Sequence, residues 1–167
     1  MITYFAERPL GAPSLGDVRA AIIEIRSRKG MVIREGNPAN KSCGSFFVNP
    51  IVSCDHFERI AASVAPEQVP HYRAGEARVK VPGAWLIEHA GFAKGYEAGR
   101  VGLSPFQAQA LINRGGAAAA DVVTLAVAIK REVWRRFGVA LVPEPVFVGF
   151  ERHSFAQWLL DPSPQTD

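Results

Sequence analysis

Cysteine is scarce: the 167-residue chain holds only Cys43 and Cys54. Two are too few for a disulfide framework, and their separation excludes a C-x-x-C metal or redox site. Both are expected to be reduced, small apolar residues. The four histidines, His56, His71, His89 and His153, lie far apart with no pair at ligand spacing, so no metal site is expected. No apolar run reaches the ~18 residues that a membrane-spanning helix needs. The segment Met1 to Arg8 lacks the basic-then-apolar order of a signal peptide, which predicts a cytoplasmic protein. Basic residues are dispersed rather than set in a stripe with aromatics, which argues against a nucleic-acid partner. The glycine-rich stretch Gly91 to Gly102 lacks both a G-K-[ST] ending and a G-x-G-x-x-G start, so it reads as a turn and not a phosphate loop. There are no internal repeats.

What is present is the composition of a globular protein with a real core, 48% hydrophobic, in a length that suits one domain. A formal charge of +3 is compatible with an anionic ligand without demanding one. Helices alternate with short strands of uneven length. That order predicts an α+β fold, a single domain with a small mixed or antiparallel sheet packed with several helices.

Along the chain, Ile2 to Phe5 is short and β-prone. Ser14 is a good N-cap, and Leu15, Val18, Ala21, Ile22 and Ile25 recur at helical spacing up to about Arg28. Arg26, Arg28 and Lys29 close this helix before Gly30; they either complement the helix dipole or bind an anion. Ser53 caps a predicted helix from Cys54 to Ala65. Arg78 to Val81 reads as a strand, and Pro82 opens a short helix through Trp85, Leu86, Ile87 and His89. Arg100 to Leu103 and Ala108 to Asn113 are candidate strands. The longest helix runs from Ala118 to Phe137, with an apolar stripe of Val122, Leu125, Ala126, Ile129, Val133 and Phe137. Lys130, Arg131, Arg135 and Arg136 are expected mostly on its wet side. Val139 to Val142 and Val146 to Phe150 are strand-like, broken at Pro143-Glu144-Pro145. The domain is expected to cover 1–152, followed by a partly disordered tail over 153–167. Trp85, Phe46 and Phe92 read as core.

The stretch Gly44-Ser45-Phe46-Phe47-Val48-Asn49-Pro50 organises the rest. Strand alternation sets Ser45, Phe47 and Asn49 on one face and Phe46 and Val48 on the other. Taken alone, it is either a half-buried strand ending at a proline or a polar spot at a pocket edge. Glu144, held extended between two prolines, is either an aimed carboxylate or a solvated edge residue.

Several stretches together resemble one family. Gly44 to Pro50 is similar to its G-S-F-F-x-N-P signature, with Ile25-Arg26-Ser27-Arg28-Lys29 at the matching distance upstream. Val79-Lys80 with Ala84 to Glu88, Ala110 to Asn113, Phe137-Gly138-Val139, and Leu141 to Glu144 with Val146 to Gly149 follow in the same order. The family is the bacterial UDP-N-acetylenolpyruvoylglucosamine reductases, or UDP-N-acetylmuramate dehydrogenases, flavoenzymes of peptidoglycan synthesis. The resemblance covers about Tyr4 to Phe150. It implies the substrate-binding domain of such an enzyme, without the FAD-binding region that precedes it in family members. The chain is therefore expected to be a fragment, a domain piece, or one part of a split enzyme, with the FAD domain as partner in cis or trans.

The resemblance also implies chemistry. NADPH reduces FAD, and the reduced flavin gives a hydride to the enolpyruvyl double bond. Ser45 is implied as the proton donor and Glu144 as the second catalytic group. Arg26, Lys29, Asn49, Tyr72, Lys80 and Gln107 are implied as substrate contacts, Tyr72 and Lys80 at the diphosphate and nucleotide. No FAD-binding residue is expected in this chain. The family's further catalytic arginine has no counterpart here, and Val48 stands where lysine is frequent. The alternative readings are a stand-alone UDP-sugar-binding module and an inactive remnant.

Overall fold

A computed structural model describes residues 12–65, 67–150 and 154–161. Ile2 to Phe5 and His153 lie outside them. Five helices are described: α1 (Leu15–Arg28), α2 (Cys54–Val64), α3 (Gly83–His89), α4 (Ala119–Phe137) and α5 (Ser154–Leu160). The strands are β1 (Ser42–Ser45), β2 (Ile51–Ser53), β3 (Tyr72–Arg73), β4 (Arg78–Lys80), β5 (Glu97–Ala98), β6 (Val101–Leu103) and β7 (Ala110–Asn113). They form two antiparallel sheets, one of four strands ordered β1-β7-β6-β5 and one of three ordered β2-β4-β3. The class is α+β, with two small sheets where the sequence predicts one. No described helix is long and apolar enough to cross a membrane.

Local chemistry explains the helix ends. The Ser14 hydroxyl accepts the Asp17 N–H at 3.2 Å, and the Asp17 carboxylate accepts the Ser14 N–H at 2.9 Å. The Ser14 hydroxyl also donates to that carboxylate at 2.6 Å, and this bond first, then the one from the Ser14 N–H, holds the Asp17 carboxyl below the usual range. Ser53 caps α2 through the His56 N–H at 3.2 Å. α4 ends at Gly138, whose φ of 64° turns the chain left-handed while its N–H donates to the Trp134 carbonyl at 2.8 Å. The His56 ring reaches across from α2 to the Phe137 carbonyl at 2.7 Å and ties the two helices together.

The core lies between the sheets and α4. Val81, Leu86, Ile87, Leu103, Ala126, Ile129, Val133 and Leu141 are closed to solvent. Phe46 belongs to this core, with Trp85 and Phe92 partly buried against it. α1 is different. Only Ala21 is buried on it, and Leu15 and Ile22 of its predicted apolar stripe remain exposed.

Four expectations change. Val139 to Val142 and Val146 to Phe150 form no ladder; the segment makes one isolated bridge, Phe47 to Pro143. Pro143 and Pro145 lack the N–H groups that a ladder needs. Lys130 is not on the wet side of α4 but fully buried, because residues 154–160 of the supposed tail form α5 and cover it. Residues 162–167 lie outside the described set. The stretch Gly91 to Gly102 carries β5 and the start of β6, so it is a hairpin more than a loose turn. Finally, Phe46 and Phe47 do not alternate: both are buried, and Val48 is exposed.

Candidate functional site

The break in alternation begins at Gly44. Ser42 pairs with Ile112 but Ser45 pairs with Ala110, so three steps along β1 match two along β7. This is a β-bulge, and Gly44 carries it with φ of 82°. A Cβ on Gly44 would meet nothing within 4 Å, so the demand for glycine is conformational and not steric. Bulges re-aim the side chains that follow them, and the side chain that follows is Ser45.

Beyond the bulge the chain is gripped from two sides. On one, the Phe46 N–H donates to the Gln109 carbonyl at 2.8 Å. On the other, the Val48 N–H donates to the Val142 carbonyl at 2.9 Å, and the Glu144 N–H donates to the Phe46 carbonyl at 2.9 Å. The Phe46 and Phe47 rings meet edge-on at 5.0 Å and anchor the segment in the core. Half-buried Ser45 and exposed Glu144 are thereby brought to adjacent segments, 99 positions apart in sequence. The Cys43 thiol registers this: burial pushes its pKa up, and the Glu144 carboxylate adds to the rise.

The cations arrive from α1. Arg26 and Lys29 line a cleft of about 280 Å³ with Gln107, Ser42, Cys43 and Gly44. Among the described residues neither cation has a carboxylate partner. The end of α1 is seated by Gly30, at φ 66°, where a Cβ would lie 2.3 Å from the Phe106 ring. The Asn37 amide then donates to the Gly30 and Val32 carbonyls, both at 3.1 Å, and holds the following loop. Gln107 adjoins Phe106, so the same contact brings it to the cleft wall.

Tyr72 and Lys80 lie at the other end of the motif. They are register partners between β3 and β4, and Lys80 also faces Ile51 of β2. The Val81 N–H donates to the Pro50 carbonyl at 3.0 Å. Both side chains are exposed. Asn49 stands between the two ends, and its side-chain oxygen accepts the Gly83 N–H at 2.8 Å and the Gln109 amide at 3.1 Å. The structure thus brings Arg26, Lys29 and Gln107 into one cleft, sets Ser45 directly after the cleft residue Gly44 with the Glu144 backbone bonded to Phe46, and pairs Tyr72 with Lys80 at the other end. Gln109 escapes sequence reasoning. Its only signal there is a lone amide within the otherwise apolar run Ala108 to Ile112. Among the described residues no three His, Cys, Asp or Glu side chains gather as metal ligands.

Chemically the cleft gathers an arginine, a lysine, amides and serine hydroxyls, a donor set that suits an anionic group. The sequence profile described as UDP-N-acetylenolpyruvoylglucosamine reductase, C-terminal domain, matches residues 37–148, and the chain belongs to that family. It is 49% identical over 140 residues to the UDP-N-acetylenolpyruvoylglucosamine reductase of Thermobifida fusca, covering 81% of this chain and 39% of that protein. The reductase of Mycobacterium tuberculosis is 49% identical over 138 residues, covering 79% and 37%. That of Mycolicibacterium gilvum is 50% identical over 134 residues, covering 79% and 38%. The chain therefore spans somewhat under two fifths of the length of these curated relatives.

Proposed function

We propose that this chain is the substrate-binding and proton-donating domain of a reductase that converts UDP-N-acetylenolpyruvoylglucosamine to UDP-N-acetylmuramate. The reading includes FAD and NADPH as cofactor and co-substrate, a cytoplasmic location, and an FAD-binding domain as partner in cis or trans. The observation that carries it is the pairing that brings Glu144 beside the Ser45–Phe47 segment, which continues directly from Cys43 and Gly44 in the wall of the Arg26–Lys29 cleft.

The donor set does not fit FAD itself. The cleft offers cations, hydroxyls and amides, which suit a carboxylate or phosphate, and no aromatic sandwich for an isoalloxazine ring. In the family the flavin supplies the hydride.

The work of this chain is then binding and proton delivery. Lys29 and Arg26 neutralise the enolpyruvyl carboxylate. Ser45 Oγ–H gives its proton to the carbon next to that carboxylate, and the serine oxygen recovers a proton from water. A hydroxyl is a weak acid, but an enolate is a strong base, and nearby cations stabilise the oxygen left behind. Glu144 is the second catalytic group, acting by hydrogen bonding at the carboxylate end. Tyr72 and Lys80 hold the diphosphate and nucleotide, where a lysine serves as a point charge.

The test has two stages. Calorimetry on the chain alone is expected to detect UDP-N-acetylenolpyruvoylglucosamine. Fusing the chain to the FAD-binding region of the Thermobifida fusca relative is then expected to restore NADPH oxidation, and Ser45→Ala to remove it. Binding without turnover in the fusion supports a stand-alone UDP-sugar module instead. Neither binding nor turnover leaves an inactive remnant. Turnover that survives Ser45→Ala ends the proton-donor assignment.

A further inference from the structure

We infer that Gln109 is a positioning residue for Ser45, a role that rests on the proton-donor reading above. Gln109 is 8% exposed, one of three polar residues in the buried set. It touches the motif three times. Its carbonyl accepts the Phe46 N–H at 2.8 Å. Its amide nitrogen donates to the Phe47 carbonyl at 3.0 Å and to the Asn49 side-chain oxygen at 3.1 Å. Both side-chain protons are therefore used on a segment that begins one residue after Ser45.

The amide acts where the ladder has ended. Ser45, opposite Ala110, is the last residue of β1 paired with β7. The Phe47 carbonyl lies beyond that pair and accepts from the Gln109 side chain. A buried carbonyl without a donor is costly, so the chain would shift to find one. The second bond passes the constraint onward. Asn49 is held by Gln109 and, at 2.8 Å, by the first N–H of α3 at Gly83. Gly83 is packed to match, since a Cβ there would lie 2.3 Å from the Gln109 amide nitrogen.

The consequence is directional. Gly44 sets the conformation before Ser45, and Gln109 sets it after. Without the Gln109 side chain the Phe46–Asn49 segment keeps its bonds to Val142, Glu144 and Gly83 and that from Phe46 to the carbonyl of residue 109, but loses both side-chain bonds at its middle. Ser45 and Glu144 then lose their fixed relation, which matters for proton delivery and little for holding the nucleotide end at Tyr72 and Lys80. Displacements of the order of 1 Å at a reacting group can lower rates by about a hundredfold.

The experiment uses the full chain in the active fusion, with Gln109→Met, which keeps length and removes the donor. The expected result is a fall in kcat between about tenfold and a hundredfold, with KM within about twofold, read below the melting temperature of the variant. Should Gln109→Met fail to fold, Gln109→Leu removes the same donor with a different apolar shape and is expected to lower kcat in the same direction. An unchanged kcat, or a rise in KM alone, overturns the inference. Ser45→Ala run alongside separates the two layers: turnover intact there overturns the proton-donor reading itself, whereas its loss with full kcat in Gln109→Met overturns only the role of Gln109.

Discussion

At the scale of single residues, the site depends on backbone conformation as much as on reactive groups. Gly44 has space for a methyl group on every side, so Gly44→Ala isolates the cost of φ at 82°. An L-residue in the left-handed region loses about 1–2 kcal/mol, and urea unfolding should show a loss of that size. A substitution that left stability unchanged would mean that the bulge is not held as described. His56 offers a comparable lesson from the other side of the molecule. A histidine with no neighbour at ligand spacing in sequence spends its ring on the last carbonyl of α4, at 2.7 Å.

At the scale of elements, the docking of α5 on α4 turns on Lys130. Its ammonium donates to the Leu159 carbonyl at 2.8 Å and to the Asp161 carbonyl, and lies 5.3 Å from the Trp158 ring centre. It thereby caps the C-terminal end of α5, where cations are favoured. Burial holds its pKa below the ordinary 10.5, with the Asp161 carboxylate partly opposing the shift. The sign follows from proton counting. Between the lowered folded value and 10.5 the unfolded chain binds more protons, so stability rises with pH across that window and is level above it. Lys130→Met keeps most of the volume and removes the titration. The stability difference, wild type minus Lys130→Met, is expected to grow as pH climbs towards 10.5. Parallel denaturant curves across the alkaline range measure it, and a flat or falling difference contradicts the burial of a charged amine.

At the scale of the whole molecule, the motif from Gly44 to Pro50 is the link between the two sheets. It leaves the four-stranded sheet at Ser45 and enters the three-stranded one at Ile51. On the function proposed above, the enolpyruvyl end of the substrate belongs at the first sheet and the nucleotide end at the second. Lys80→Ala should therefore raise KM of the fusion about tenfold, as loss of one charged contact of ~1.4 kcal/mol would, and leave kcat near the wild-type value. The effect should weaken with added salt, because Lys80 is exposed. A fall in kcat at constant KM would place Lys80 at the chemistry instead.

What the sequence determined by itself is what short-range chemistry dictates. Ser14, Ser53 and Gly138 mark helix ends through bonds made within a few residues, so α1, α2 and α4 were readable almost to their termini. The ordered blocks around Gly44 to Pro50 likewise carried the family. What only the tertiary structure decided involves partners distant along the chain. The periodicity of α4 set Lys130 on a wet face because α5 is not visible from within α4. The stretch around Glu144 read as two strands because its valines favour β structure, yet two prolines leave it a single bridge to Phe47. Alternation assigned Phe46 and Phe47 to opposite faces, but a one-residue bulge at Gly44 and an enclosing pair of neighbours bury both. Gln109 had no local signature beyond a lone amide in an apolar run, since the groups it bonds, the Phe47 carbonyl and the Asn49 side chain, lie 62 and 60 positions away. Caps and periodicities are properties of neighbouring residues; burial, pairing and clamping are properties of surfaces that meet only after the chain has folded.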